Sequence, residues 1–241
     1  MDKLFIIIPA YNEEATIEVV AREWHNVVCG VNEQSCLVII DDGSRDSTYI
    51  KLKELQTELP QLETITKQNG GHGATVLFGY RYALDRGADY VFQTDSDGQT
   101  LPSEFWQFWE NRNKYDLQIG YRKGRQDGFS RIIVTKVLRI VLFLQFRMWI
   151  KDANTPFRLM SAESLREIIP AIPENHNLAN VLLTVIYHKK KNSIMFYQIT
   201  FRPRQGGVNS INFSKITRIG WKAAKDFGNL RKPQTNKSNR K

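Results

Sequence analysis

The stretch from Leu4 to Thr94 fixes the fold class. Short, largely apolar runs at Leu4–Ile8, Leu37–Ile40, Leu62–Thr66 and Tyr90–Thr94 alternate with stretches of helical period at about Glu13–Val28, Asp46–Leu59 and Gly73–Asp85. Runs that do not alternate apolar with polar belong to strands covered on both faces, and strands separated by helices must cross over and so run parallel. The pattern reads βαβαβαβ, an α/β domain with a mostly parallel central sheet and helices on both faces. Crossovers in such sheets are right-handed, and ligands bind beyond the carboxyl ends of the strands. Further on, the pattern predicts a helix about Pro102–Asn113, a strand about Leu117–Tyr121, a long segment from Ser130 to Ile150, helices about Ala162–Ile168 and Leu178–Lys189, and a strand about Ile194–Phe201. No internal repeat is present. We expect one catalytic domain over residues 1–228 and a basic, disordered tail over 229–241, where Leu230 is the only large apolar residue.

The loops that follow the predicted strands carry the chemistry. After the fourth comes Asp95-Ser96-Asp97-Gly98-Gln99. Residues i and i+2 share one side of an extended chain, so Asp95 and Asp97 can converge with the Gln99 amide oxygen as hard ligands of the kind Mg²⁺ or Mn²⁺ accepts. The plain alternative is an Asx-rich turn. Three further loops sit at strand-to-helix junctions: Pro9-Ala10-Tyr11-Asn12-Glu13-Glu14, Asp41-Asp42-Gly43-Ser44 and Asn69-Gly70-Gly71-His72-Gly73-Ala74. Tyr11 can stack on a base, a carboxylate of the Asp41-Asp42 pair can accept from a base N–H, and glycines such as Gly71 let backbone amides approach ribose or phosphate. Asn12, Ser44 and Asp46 would serve equally well as helix N-caps, and the glycines as tight turns. Four such loops in this order make coincidence a poor account.

Charge and cysteine content bound the remaining classes. The net charge is +9, yet Arg231, Lys232, Lys237, Arg240 and Lys241 supply five of the nine in a tail without acids. The excess is therefore local, and no zinc, helix-turn-helix or RNP-like pattern accompanies it, so nucleic acid is not the expected partner. Cys29 and Cys36 lack metal-type spacing and read as reduced core thiols of a cytoplasmic protein. The chain opens on a strand at Lys3 rather than on a signal peptide, and no apolar run reaches the ~20 residues of a transmembrane helix. The first loop lacks the Gly-rich pyrophosphate turn of a dinucleotide-dependent oxidoreductase.

The motifs PAYNEE, DDGS, NGGHGAT and DSDGQ together resemble the family 2 glycosyltransferases of the GT-A fold, over roughly residues 3 to 210. Within that family the D-x-D-x-Q form, Gly120-Tyr121-Arg122 and Asp152-Ala153-Asn154-Thr155-Pro156-Phe157-Arg158 look like the polyprenyl-phosphate sugar synthases. The resemblance implies inverting transfer from a nucleoside-diphosphate sugar with a divalent metal. By it, Pro9, Tyr11, Glu13 and Asp42 would hold the nucleoside, with Asp41, Gly71 and Ser96 completing the donor side, while Asp95, Asp97 and Gln99 would surround metal and diphosphate. The chain departs from the subgroup at Thr155-Pro156, where Ser-Gly is usual, and at His72, where a basic residue is common. His72 has no evident partner in the sequence.

The acceptor follows from what is missing. Around Pro173–Asn180 only Glu174 stands where an acidic pair is expected of an enzyme that deprotonates a hydroxyl. A phosphate monoester, with a second pKa near ~6, is already largely ionised at neutral pH and needs cations more than a base. Arg122, Arg131 and Arg204 can supply them, with Arg122 and Arg131 as the acceptor-phosphate pair. The expected acceptor is a polyprenyl phosphate or lipid-linked glycan. The alternative is a hydroxyl acceptor in surface-polysaccharide assembly, with Asp152 or Glu174 as base. Within the acceptor-side segment 128–151, Ile133, Val134, Val137, Leu138, Val141, Leu144 and Met148 share one helical face opposite Lys136, Arg139 and Arg147. Such a helix suits the inner face of a membrane, a subunit interface of a homo-oligomer, or the core.

Overall fold

The computed structural model describes residues 1–122, 143, 147, 150–174, 176 and 178–203. Most of the 128–151 segment, the 229–241 tail, Arg131 and Arg204 lie outside the described residues. The chain divides into two compact units, Met1–Lys123 with Asp152–Val208, and Gly124–Lys151 with Asn209–Lys241. The sheet and the four loops singled out above belong to the first.

Among the described residues, seven strands form one sheet: β1 Leu4–Ala10, β2 Cys36–Asp41, β3 Leu62–Thr66, β4 Tyr90–Gln93, β5 Leu117–Arg122, β6 Arg158–Ser161 and β7 Ile194–Ile199, in the order β3-β2-β1-β4-β6-β5-β7. β1 pairs in parallel with β2 and β4, β2 with β3, and β5 with β7. The exception is β6, antiparallel to both β4 and β5. Sequence pattern did not reveal it: Arg-Leu-Met-Ser is four residues long and carries no alternation, and its pairing is set by neighbours far away in the chain.

Among the described residues, six helices flank the sheet: α1 Ile17–Val31, α2 Thr48–Glu58, α3 His72–Asp85, α4 Phe105–Glu110, α5 Ala162–Ile168 and α6 Ala179–Lys189. α1 buries Ile17, Val20, Ala21, Trp24 and Val28, the i, i+3, i+4 spacing of one helical face. These join Leu4, Ile6, Ile8, Leu37 and Ile39 in the core. The opposite face of the sheet meets α3. A Cβ on Gly79 would lie 2.3 Å from Ile7 Cγ2 and 2.7 Å from Ile40 Cδ1, so only glycine lets this helix settle onto β1 and β2. The helix expected over Pro102–Asn113 is a short 3₁₀ turn, α4 and a second 3₁₀ turn, and its Phe105 and Phe108 are fully buried. With Trp24, Phe92 and Phe157 they form an aromatic cluster, Phe92 and Phe157 edge to face at 4.7 Å. This cluster underlies the last strand before the acidic run and the segment that leads into β6.

Candidate active site

Because β1, β2, β3 and β4 run in one direction, the loops after them open at one edge of the sheet. Side chains lace the first two loops together. The Asn12 amide donates to Ser44 Oγ at 2.9 Å, and Asn12 Oδ1 accepts from the Arg45 amide at 2.8 Å. Glu13 N donates to Thr48 Oγ1 at 2.8 Å, and Ser47 N to Glu14 Oε2 at 3.0 Å. Asp46 accepts from the amides of Thr48 and Glu14. Thus Asn12 and Ser44 act across the two loops, and the residues at the helix starts, Thr16 and Ser47, make no side-chain cap. Asn12 adopts a left-handed backbone, φ 53°, to do so, a conformation Asn tolerates better than most side chains. Pro9 lies within β1, buried, beside Ile40. Glu13 is buried, with Thr16 Oγ1 on its carboxylate, and Tyr11 stays 43% exposed at the mouth of the loop.

The two aspartates at the end of β2 are buried and serve the scaffold. Asp41 accepts from the Ser44 amide and from Thr66 Oγ1, which ties the loop to β3. Asp42 accepts from Lys67 Nζ, from Gly70 N at 2.9 Å and from Gly71 N at 2.8 Å. Burial alone would raise its pKa, but Lys67 and the Gly70 amide outweigh that and hold it below the ordinary carboxylate value. The amides of Gly70 and Gly71, which glycine was expected to offer to a ribose or phosphate, are therefore engaged by Asp42. Sequence reasoning missed this because both partners of the contact look like ligand groups when read separately.

The acidic run is shaped by four contacts. The Ser96 carbonyl accepts from Thr16 Oγ1 at 3.0 Å, and Ser96 itself is buried. Asp97 Oδ1 accepts from the Gln99 amide at 3.1 Å. Gln99 Nε2 donates to the Arg202 carbonyl at 3.2 Å while the Arg202 amide donates to the Gln99 carbonyl at 2.8 Å. Asp95 meets His72 Nε2 at 3.0 Å, the partner that the sequence did not disclose. Desolvation opposes the imidazolium, but the charge and hydrogen bond of Asp95 prevail, and the His72 pKa is raised.

The donor set of Asp95, Asp97 and Gln99 is all hard oxygen, which fits Mg²⁺ or Mn²⁺ better than a thiophilic ion. Among the described residues no group of three or more His, Cys, Asp and Glu converges. Asp95, Asp97 and Gln99 could supply at most a partial shell, of the kind that phosphate oxygens and water complete for a small divalent cation.

The other half of the site comes from β5, β6 and the chain after β7. Arg122 ends β5, its guanidinium carbon 3.5 Å from the centre of the Phe201 ring. A Cβ on Gly120 would lie 2.4 Å from Ile199 Cδ1, which explains glycine in Gly120-Tyr121-Arg122: β7 packs through that space. Arg158, which the sequence displays as one more basic residue of a motif, is fully buried. It donates to the carbonyls of Ala153, Thr155 and Asn180 and to Thr184 Oγ1, clamping the 152–156 loop against α6. Burial lowers its pKa, and Asp152 and Asp95 are near enough to act against that. Asp152 is itself buried and accepts from the Asn154 amide at 3.2 Å.

The model for "Glycosyl transferase family 2" matches residues 5–169. A UDP-N-acetylglucosamine–dolichyl-phosphate N-acetylglucosaminyltransferase of Methanococcus voltae is 29% identical over 187 residues, 68% of this chain and 72% of that protein. Polyprenol monophosphomannose synthase of Mycolicibacterium smegmatis is 25% identical over 92% of this chain and 86% of its own. Undecaprenyl-phosphate mannosyltransferase of Micrococcus luteus is 24% identical over 90% and 94%. Among solved structures, glucosyl-3-phosphoglycerate synthase from Mycobacterium tuberculosis, in complex with Mn²⁺, UDP and phosphoglyceric acid, superposes with a TM-score of 0.70 at 16% identity, covering 97% of this chain and 80% of that one. That likeness shows the GT-A fold, and the match of the family model to two thirds of the sequence settles the rest: the chain belongs to glycosyl transferase family 2 and is a glycosyltransferase.

Proposed function

We propose that this enzyme moves a sugar, with inversion, from a nucleoside-diphosphate sugar to a polyprenyl phosphate or a lipid-linked glycan, using Mg²⁺ or Mn²⁺. The observation that carries the reading is the joining of the acidic loop to the chain after β7, with Arg122 stacked on Phe201 beside that junction. On this reading, anion-binding and cation-binding groups meet at one edge of the sheet. Tyr11 would stack on the base, with Pro9 and Glu13 shaping its pocket. Asp41, Asp42, Gly71 and Ser96 act on the donor side by fixing the loops around it. Asp95, Asp97 and Gln99 would hold the cation, which neutralises charge on the leaving diphosphate.

An acceptor phosphate oxygen attacks the anomeric carbon from the face opposite the diphosphate, a carbon–oxygen bond forms, and the bond to the diphosphate oxygen breaks with its electron pair. The nucleophile is already ionised, so the protein need supply orientation rather than a base, and Arg122 would give it through paired N–H donors. Arg131 and Arg204 are proposed to assist, as acceptor-phosphate ligand and diphosphate contact. The relatives named for dolichyl, polyprenol and undecaprenyl phosphate support this acceptor class. No helix of the described residues is long and apolar enough to cross a membrane. We propose that the enzyme meets lipid at the cytoplasmic surface, through the basic 128–151 segment and the 229–241 tail. Contact between copies of the chain is a second use open to that segment.

Thermal-shift titration of UDP- and GDP-sugars with and without Mn²⁺, on the wild type and on Asp97→Asn, tests the donor half. Cation-dependent stabilisation by one donor, lost in the variant, is expected, and stabilisation by none would sink the reading. Asp152, buried near Arg158, favours a second reading in which it serves as base for a hydroxyl acceptor. Loss of transfer in Asp152→Asn with donor binding intact would select it.

A further inference from the structure

Asp95 stands on a backbone that is pinned on both sides. Before it, the Thr94 amide donates to the Ile7 carbonyl at 3.2 Å, and Thr94 Oγ1 lies 2.8 Å from Thr100 Oγ1. After it, the Ser96 carbonyl accepts from Thr16 Oγ1 at 3.0 Å. Those contacts fix where the Asp95 side chain starts but not how its carboxylate is turned, and 31% of that side chain is exposed. His72 restrains it there, with Nε2 3.0 Å from Asp95 Oδ1. The imidazole itself projects from a fixed base. Gly71, at φ 85°, gives its amide to Asp42 at 2.8 Å, and its carbonyl accepts from the amide and the hydroxyl of Thr75, each at 3.1 Å. His72 opens α3 directly after that residue.

We propose that His72 is a positioning residue for the divalent cation: by holding Asp95 Oδ1 it sets the rotation of the carboxylate, and with it the oxygen that the ion meets. The inference rests on the reading of Asp95 as a cation ligand. An ionised carboxylate carries no hydrogen, so the contact assigns the hydrogen to His72 Nε2 as donor. A ligand whose rotation is fixed beforehand loses less side-chain freedom when the ion arrives, and outer-shell hydrogen bonds of this kind orient ligating carboxylates in metal sites. A lysine at this position would bring a compact charge on a flexible stem, whereas the rigid ring offers one directed N–H. The departure of the chain from its subgroup at His72 thus acquires a physical role. Asp42, through Gly71 and His72, helps to set a ligand that belongs to a different loop.

The test follows the Tm of the full chain as Mn²⁺ is added, with the cation alone and with UDP or GDP present, and reads the half-saturating Mn²⁺ concentration. His72→Leu should raise that concentration by roughly tenfold to a hundredfold, the range for loss of an outer-shell partner. Its metal-free Tm should stay within about 4 °C of the wild type, because a pair this exposed contributes little to folding. His72→Gln, which again places an N–H two bonds beyond Cγ, should restore binding to near the wild-type value. Should His72→Leu fail to fold, His72→Ala takes its place. An unchanged half-saturating concentration in the Leu variant, a Gln variant as weak as the Leu one, or tighter binding without the imidazole would overturn the proposal, the last by showing that the ring competes with the ion. Wild-type Mn²⁺ binding in Asp95→Asn, or no Mn²⁺-dependent shift in the wild type, would instead place the fault in the reading of Asp95 as a ligand, and the role of His72 would fall with it.

Discussion

Replacing Asp42 with Asn separates the scaffold role seen here from a direct contact with the nucleoside. The Asp42 side chain is 5% exposed and Lys67 only 19%. The carboxylate receives the Lys67 ammonium and the amides of Gly70 and Gly71, which joins the end of β2 to the glycine loop and the start of α3. Hydrogen bonds to charged groups contribute about 1.5–3 kcal/mol each. An Asn keeps one acceptor oxygen and turns an NH₂ toward the remaining donors, so one contact is lost outright and the others fall to neutral strength. Gly70 is exposed, so water recovers part of its share. The net loss is about 2–4 kcal/mol, which for a chain of this size lowers Tm by about 5–15 °C. The pH dependence has a fixed sign. The folded pKa of Asp42 lies below the ordinary value of 3.8, so its stabilisation is complete above that value and is lost as pH falls through the lowered folded one. Wild type and variant should therefore differ fully at neutral pH and converge in strong acid. Scanning calorimetry from neutral pH downward, with Lys67→Met completing a cycle, measures both the loss and the coupling. A Tm unchanged in Asp42→Asn would refute the argument, and unchanged Tm with lost nucleotide binding would return Asp42 to the role of a base contact.

Gly120→Ala puts a methyl group 2.4 Å from Ile199 Cδ1 and within 3.1 Å of its Cγ atoms, so urea denaturation should show a loss of about 1–3 kcal/mol, partly restored by Ile199→Val. His25, 7% exposed, has its pKa lowered by burial from 6.5. The unfolded chain therefore binds a proton first, and stability should fall as pH drops below 6.5 until the lower folded pKa is passed; a wild-type slope no steeper than that of His25→Gln would show that the imidazole is not the cause.

The loops proposed as the donor half of the site were legible because their information is local. Each of them follows a strand whose apolar run is visible in the sequence, and parallel topology brings such loops to one edge without further instruction. What could not be read depends on pairings distant in sequence. The His72 imidazole meets Asp95 only because the loop after β3 lies next to the loop after β4. Arg158 stands in the sequence as one more basic residue of the Asp152–Arg158 motif, and only β6 inserts it beneath the 152–156 loop, where neutral carbonyls surround it. The Asp41-Asp42 pair was legible as important but not in what it does, since a carboxylate that binds a ligand and one that binds its own backbone leave the same two letters. The helix expected over Pro102–Asn113 is present at its centre, Phe105–Glu110, with a 3₁₀ turn at either end.

The antiparallel strand β6 also bears on how the chain is made. When synthesis has passed β4, the sheet β3-β2-β1-β4 is complete except that Tyr90–Gln93 shows a bare row of peptide groups along its outer side. The strand that covers it, Arg158–Ser161, is translated only after β5, and β5 itself has no neighbour in the sheet until β6 and β7 exist. A nascent chain must therefore carry an open sheet edge through a long stretch of elongation, which invites pairing with other chains. Truncations that end between β5 and β6 should aggregate, whereas the step at which Arg158–Ser161 slots into place covers β4 and joins it to β5 at once.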